Sequence, residues 1–556
     1  MRFYFLGFLL LAVTFSNVYG QATFQSASGG SWNSSSRWTL LSGSDADGIP
    51  DSNDNIVLQS GHTISINSNY SVSNVIFNGG GFSFSGGTRT LTILNDVYVY
   101  ANSSISGYSA NQVITVQGGL TVLGGTQLSI PSITFSVNGS ATLEGQLSIS
   151  GSSRTLNFGD VDITGTGALS LSGGNTYNFN GDLNNDGTFT ANSYNQIFNF
   201  NSSSGVISGS NEINIFEANF NSPANYTNNS VLTIRDNMSG TGSFTNGNGA
   251  ELTLTNGGPF TVSTFNAAAT GNTIIYTGYG SPTGFTGSYY NLVLNKSSGT
   301  LGFSGSPYIL NDLTIQDGIF QVGAVTVNIG NNLNLEDGEF TPDNASGVTN
   351  IGGNLNISGG EYDHNSGTVK VTGNLEMTGG DILFSGGSST IDISGDFNFN
   401  GGTPNLQGGD FITNNLYVAS GNEIFINGIN LTASGQVELD GTMTFNNTGG
   451  SKLIGSVLVN ATGNWNVTQP NNVTISGNIT NNGVFTADPG YGTSVYTLTS
   501  ASGTLSGSGD LNIRDLVINS PASYTNETTL SVANTFTGSG TFTNGAGATF
   551  VYSGNN

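Results

Sequence analysis

The chain has 556 residues, no cysteine, and 9 Lys+Arg against 34 Asp+Glu, for a net charge of −25. So acidic a balance argues against nucleic acid and anionic membrane surfaces as partners, because both are held by basic patches. With no disulfide framework, stability has to come from a long core, and 36% hydrophobic residues supply the material for one.

The first 20 residues read as a secretory signal peptide. Arg2 is the positive start, residues 3–15 are an apolar stretch, and Val18 and Gly20 are small enough for the −3 and −1 positions. Cleavage is expected between Gly20 and Gln21. A membrane anchor, the other reading, needs ~20 apolar residues. No later segment is apolar enough to span a bilayer.

Residues 21–75 differ in pattern from the rest of the chain and read as an N-terminal cap. They hold two of the three tryptophans, Trp32 and Trp38. These are expected to close the open end of a core, since an uncapped end exposes apolar side chains and strand edges. An aromatic sugar platform is the other reading. The cap also contains the run "DADGIPDSND", which crowds Asp45, Asp47, Asp51 and Asp54 around a Gly-Ile-Pro turn. Several carboxylate oxygens in one loop suit calcium, although the Glu of an EF-hand is missing. A solvated acidic turn would look the same.

From residue 76 onward the chain repeats. Leu313, Leu333, Leu355, Leu375, Phe397 and Leu416 recur at spacings of 20, 22, 20, 22 and 19. Two residues after each stands another apolar residue: Ile315, Leu335, Ile357, Met377, Phe399 and Val418. Phe340, Tyr362 and Ile382 mark a second aligned segment, and Val369/Val371 with Ile391/Ile393 a third. Three short alternating strands per ~21 residues describe one coil of a parallel β-helix, each strand pairing with its copy one coil along. Strand crossovers are overwhelmingly right-handed, so the expected fold is an all-β, right-handed parallel β-helix solenoid.

The same motif at Leu120, Val161, Leu183, Val437 and Ile479 extends the solenoid over residues 76–556, roughly 23 coils at one strand spacing each. Asp312, Asn332, Asn354, Asn374, Asp396 and Asn415 form a polar column just ahead of the apolar one. They are expected to supply left-handed turn geometry or to hydrogen-bond along the axis.

A longer duplication overlies the coils. Residues 220–258 recur as 518–556 at an offset of 298, and "GDLNNDGTFTA" at 181 matches "GNITNNGVFTA" at 477. The duplicated blocks are therefore 181–258 and 477–556. The second copy stops where the first goes on, so the solenoid is expected to continue past residue 556.

Candidate chemistry is sparse. Glu339, Glu361 and Asp381 fall at one outward position in successive coils, about one strand spacing apart. Retaining glycosidases need two carboxyls ~5–5.5 Å apart, so this column is the weak catalytic candidate. Neighbouring acids on a solvated face, sharing a cation, are the simpler reading. Of the two histidines, His62 reads as structural and His364 as an exposed turn residue. Lys370 shares a coil with Glu361 and His364, a coincidence by this reading. No phosphate loop is present, because no helix follows the glycine runs.

The Trp-Asn…Trp opening, the Asp-rich turn with its proline, "SGHTISI" and "YYNLVLNKSSGTLGFSG" (289–305) together resemble secreted, adhesin-like surface β-helix proteins of Bacteroidetes-type bacteria. The resemblance implies export to the cell surface and a multivalent face for an extracellular glycan or surface protein. In that group a C-terminal sorting domain usually directs export, and this sequence shows none. A polysaccharide-active enzyme, or a glycan-binding module of a larger secreted protein, is the alternative function.

Overall fold

Short segments in which every second residue is apolar can bury one face only by stacking on a copy of themselves. That is what the chain does. In the computed structural model, residues 21–554 are described, apart from 192, 257, 259, 304, 324, 343–346, 365, 385 and 386. The expected signal segment, 1–20, lies outside the described residues. The described chain is a parallel β-solenoid of about 21 residues per turn. Its one 3₁₀ turn among the described residues is Ser35–Arg37, and no helix there is long and apolar enough to cross a membrane. The fold divides into two units, Met1–Asn272 and Thr273–Asn556.

In the first unit, Thr23–Ser26 pairs antiparallel with Trp38–Ser42 and parallel with Asn55–Gln59. From there the pairing is parallel: Asn55–Gln59 on Asn74–Asn78, then Val97–Ala101, then Leu120–Val122. A second face stacks Arg89–Ile93, Gln112–Val116, Thr134–Val137 and Thr155–Phe158. The third is a separate eight-stranded sheet running from Gly30–Ser31 to Thr188–Thr190. These are the three faces expected of each coil.

In the second unit the register follows the sequence period. Leu313 pairs with Leu333, Leu333 with Leu355, Leu355 with Leu375, Leu375 with Phe397, and Phe397 with Leu416. All six are buried. Phe320, Phe340 and Tyr362 stack beside them with ring centroids 5.6 and 5.4 Å apart. Each such side chain taken out of water contributes about 1.5–3 kcal/mol, so the core is a set of continuous apolar columns.

The polar column hydrogen-bonds along the axis, as the second expectation had it, chiefly from backbone N–H to side-chain oxygen. Its members do not adopt left-handed backbone; the described non-glycine residues that do are Ser132, Ser153, Asn195 and Asn256. Instead each side-chain oxygen accepts the backbone N–H of its successor one coil along. Asn332 N donates to Asp312 Oδ1 at 2.9 Å, Asn354 N to Asn332 Oδ1 at 2.8 Å, and Asn374 N to Asn354 Oδ1 at 2.9 Å. Asp396, Asn415 and Gln436 continue the series. At a coil corner these N–H groups have no ladder partner, and a short side-chain acceptor supplies one. Asp and Asn both present that oxygen, which explains why they interchange. Asn354→Ala should therefore cost about 1 kcal/mol and speed amide exchange at Asn374 about fivefold, whereas Asn354→Asp should leave that amide protected. Hydrogen exchange resolved at Asn374 checks both.

Candidate functional site

The acidic column lies at one corner of the second unit. Glu339–Pro342 and Glu361–His364 are neighbouring strands, and the register aligns Glu339 with Glu361 and Glu361 with Asp381. Glycines 338, 359, 360 and 380 precede the acids at the corner. Gly360 and Gly380 both have φ +66°, and a Cβ on Gly359 would meet Glu336 O at 1.9 Å. No side chain fits there, so the corner is an open groove of about 490 Å³, bordered by Asp317, Asp337, Glu339, Glu361 and Asp381.

The column does not converge as a whole. Carboxylate oxygens of Glu339, Glu361 and Asp363 come within 4.8 Å of one another, and Asp381 is not part of that group. Asp381 Oδ1 instead accepts a hydrogen bond from the Thr403 hydroxyl in the next coil. Glu339 Oε1 accepts one from Thr341 Oγ1 at 2.6 Å. Desolvation raises the Glu361 carboxyl above its ordinary range, with further contributions from Glu339, Asp363 and Asp381. Such a trio can retain a proton on Glu361 or share a hard cation. Lys370 is not brought to it: Lys370 aligns with Asn350 and Asp392 on another face and borders a separate groove with Tyr308 and Asn328.

His364 corrects the expectation of an exposed turn. It is 1% exposed and points inward, aligned with Phe384 and stacked on its ring at a centroid distance of 5.7 Å. Strict alternation through Glu361, Tyr362, Asp363 and His364 puts Tyr362 and His364 inside, a consequence already legible from the period. Neither ring nitrogen makes a hydrogen bond of ordinary geometry among the described residues. Burial lowers the imidazole to about 4, with backbone groups of Gly367 and Thr390 opposing the shift.

In the first unit the Asp-rich loop is organised by its own backbone. Asp45 Oδ2 accepts N–H groups from Asp47 and Gly48, Asp47 Oδ1 from Ile49, and Asp51 Oδ1 from Asn53. Asp54 is buried and uses both oxygens, accepting from Ala22 at 3.1 Å and Asp51 at 2.8 Å. Desolvation raises its carboxyl above the ordinary range against these bonds. Oxygens of Asp45, Asp51 and Asp54 lie within 4.8 Å of one another, with Asp47 outside the group. Asp45 and Asp51 each keep a second oxygen clear of these backbone bonds. A hard-oxygen donor set of this kind fits a calcium-type cation.

The tryptophans close the core rather than face a ligand. Trp32 is 0% exposed, stacks on Tyr70 at 4.8 Å and meets Trp38 edge-on at 5.3 Å. Trp32 Nε1 donates to Pro50 O and Trp38 Nε1 to Trp32 O, so the Asp-rich loop is tied to the core through Pro50. Burial rules out a sugar platform here. His62 is held through Nδ1, 3.0 Å from both the hydroxyl and the carbonyl oxygen of Ser26, as its structural reading requires.

Two buried cations had no signal in the sequence. Lys296 and Lys452 occupy inward positions where the period calls for apolar residues. Lys296 Nζ donates to the carbonyls of Thr277 and Tyr279, each at 3.3 Å; Lys452 Nζ donates to those of Gly449 and Gly450. Desolvation lowers both ammonium groups, Lys452 to about 8. They fasten loops and meet no carboxylate among the described residues. The chain matches no protein-family model, no curated protein and no solved structure.

Proposed function

We propose that this chain is a secreted, cell-surface solenoid of the adhesin-like kind found in Bacteroidetes-type bacteria, structural or adhesive in role. It presents a multivalent face to an extracellular glycan or surface protein. The observation that carries the reading is an uncharged outward ladder. In the first unit Asn157 Nδ2 donates to Ser136 Oγ, Asn178 to Asn157, Asn199 to Asn178 and Asn219 to Asn199, at 3.0, 2.7, 2.8 and 3.2 Å. Side chains locked in this way repeat one polar contact at each strand spacing, ~4.8 Å, with little rotamer entropy left to lose on binding. Many weak contacts of one kind sum to useful avidity. The trio Asp45, Asp51 and Asp54 holds calcium in this proposal and steadies the loop above Trp32.

A second reading rests on Glu361. A carboxyl raised above its ordinary range beside Glu339 and Asp363 in an open groove is the start of an acid–base pair, as a polysaccharide-active enzyme requires.

One experiment separates the two. The chain from Gln21 is incubated with a polysaccharide panel, with calcium or with EDTA, and scored for retention and for release of reducing ends. The adhesive reading expects retention without release, and a loss in EDTA that Asp51→Asn reproduces. Release of sugar ends that Glu361→Gln abolishes would replace it with the enzyme reading. Retention on no glycan would leave a surface protein as the partner of an adhesive role.

A further inference from the structure

The two duplicated blocks share a feature beyond their core. In both, a loop leaves the solenoid after Thr-Ala (190–191 and 486–487) and carries an exposed tyrosine: Tyr194, 77% exposed, and Tyr491, 50% exposed. The surrounding scaffold is reproduced closely. Tyr226 OH donates to Gly181 O at 2.7 Å and Tyr524 OH to Gly477 O at 2.8 Å; Asn228 Nδ2 donates to Asn246 Oδ1 at 2.8 Å and Asn526 Nδ2 to Asn544 Oδ1 at 2.7 Å.

Single exposed aromatics are common and need no explanation. These two are set apart because they recur in both duplicated blocks, each on a loop held by an arginine; Tyr279, whose loop Lys296 fastens, lies outside the blocks. In the first unit Arg235 Nη2 donates to Ala191 O at 2.5 Å, and Gly173 N donates to Ser193 Oγ at 2.7 Å. The Tyr194 ring meets Phe216 edge-on at 5.8 Å, and the Arg235 guanidinium lies 5.6 Å from the centroid of the Phe216 ring. Phe216 faces out because the register slips between Ile215 and Glu217, turning two successive residues outward. In the second unit the same slip falls between Ile513 and Asp515, and the offset of 298 puts Arg514 where the first copy has Phe216. Arg514 Nε donates to Gly492 O at 2.8 Å and Nη1 pairs with Asp488 at 3.1 Å, while Tyr491 OH donates to Thr468 O at 3.4 Å.

Thus an arginine fastens the tyrosine loop in each duplicated block, and the two arginines come from non-equivalent positions of the repeat. The fastening differs between the copies, and the presented aromatic ring is common to both. We infer that Tyr194 and Tyr491 are two stacking platforms for neutral pyranose rings, one in each duplicated block. The inference rests on the adhesive reading and names its ligand class. A pyranose offers a C–H face to a flat ring and hydroxyls to the guanidinium, amide and hydroxyl groups around it. A protein partner would call for a broader apolar patch than one ring. An anionic glycan would meet a chain of net charge −25.

The test uses the chain from Gln21, with affinity electrophoresis in neutral glucan, xylan and mannan gels. Retention on intact surface-displaying cells is scored in parallel. Tyr194→Ala and Tyr491→Ala should each weaken glycan binding about tenfold, and the double variant should lose it, because linked sites add through effective concentration. Tyr108→Ala and Tyr279→Ala, at 65% and 67% exposure, are controls that should change binding less than twofold. Hydrogen exchange of the Tyr226 and Tyr524 coils confirms that the variants fold. Wild-type binding by the double variant, an equal loss in the controls, or no wild-type binding to any neutral glycan overturns the inference. If cells still retain the chain in those cases, the adhesive reading stands without it; if they do not, both fall.

Discussion

Acidification from pH 7 to pH 4 is expected to destabilise the coil around His364 by about 3 kcal/mol, and His364→Phe to abolish that loss. The folded chain holds the imidazole at about 4 against an ordinary 6.5. Between those values the unfolded chain binds a proton that the folded chain refuses, so stability rises with pH across this window. It is complete above about pH 6.5 and is lost as the pH falls toward 4. A gap of that size, at about 1.4 kcal/mol per pH unit, sets the magnitude. Phenylalanine suits the position because His364 already lies parallel to Phe384 with an interplanar angle of 5° and makes no hydrogen bond of ordinary geometry among the described residues. Hydrogen exchange at residues 361–364 and 381–384, compared between wild type and variant at pH 7 and pH 4.5, reads the effect. Carboxylates elsewhere titrate in the same range in both proteins and cancel in the comparison. Equal acid sensitivity in the two would show that His364 is not the group responsible.

Trp32→Ala should destabilise the beginning of the first unit by about 3–5 kcal/mol, the cost of emptying a fully buried indole site. Trp32 fills the end of the core against Tyr70, Trp38 and Phe82, and its N–H is bonded to Pro50 O. Trp32→Phe keeps the stacking and loses the bond, so it should cost about 1–2 kcal/mol. Because Pro50 sits between Asp45 and Asp54, the alanine variant should also open the acidic loop. Limited proteolysis will show it as cleavage within residues 43–54, with calcium protecting wild type and Trp32→Phe but not Trp32→Ala. Resistance of Trp32→Ala equal to wild type would mean that the coils close without the indole.

The solenoid was legible from spacing alone because a parallel stack repeats its environment. A position that is inside in one coil is inside in all, and Leu313 through Leu416 record that in plain sequence. The acidic groove was half legible. The period placed Glu339, Glu361 and Asp381 in one column, but side-chain direction brings a carboxylate oxygen of Asp363 within 4.8 Å of the two glutamates' and sends Asp381 to Thr403. Asp363 lies on the same outward face two residues after Glu361, and only the three-dimensional placement of the side chains decides which acids approach one another.

By itself, then, the sequence determined the fold class, the coil length and the apolar columns, since all three follow from periodicity and the need of each strand to bury one face. The tertiary structure decided whatever depends on neighbours one or more coils away. It turned the Asn/Asp column into acceptors for the next coil's N–H groups, buried His364 and two lysines, sealed Trp32 and Trp38 into the core, and left Tyr194 and Tyr491 outside it. A side chain's chemistry is set by what surrounds it, and in a solenoid those surroundings lie about 21 residues away in either direction.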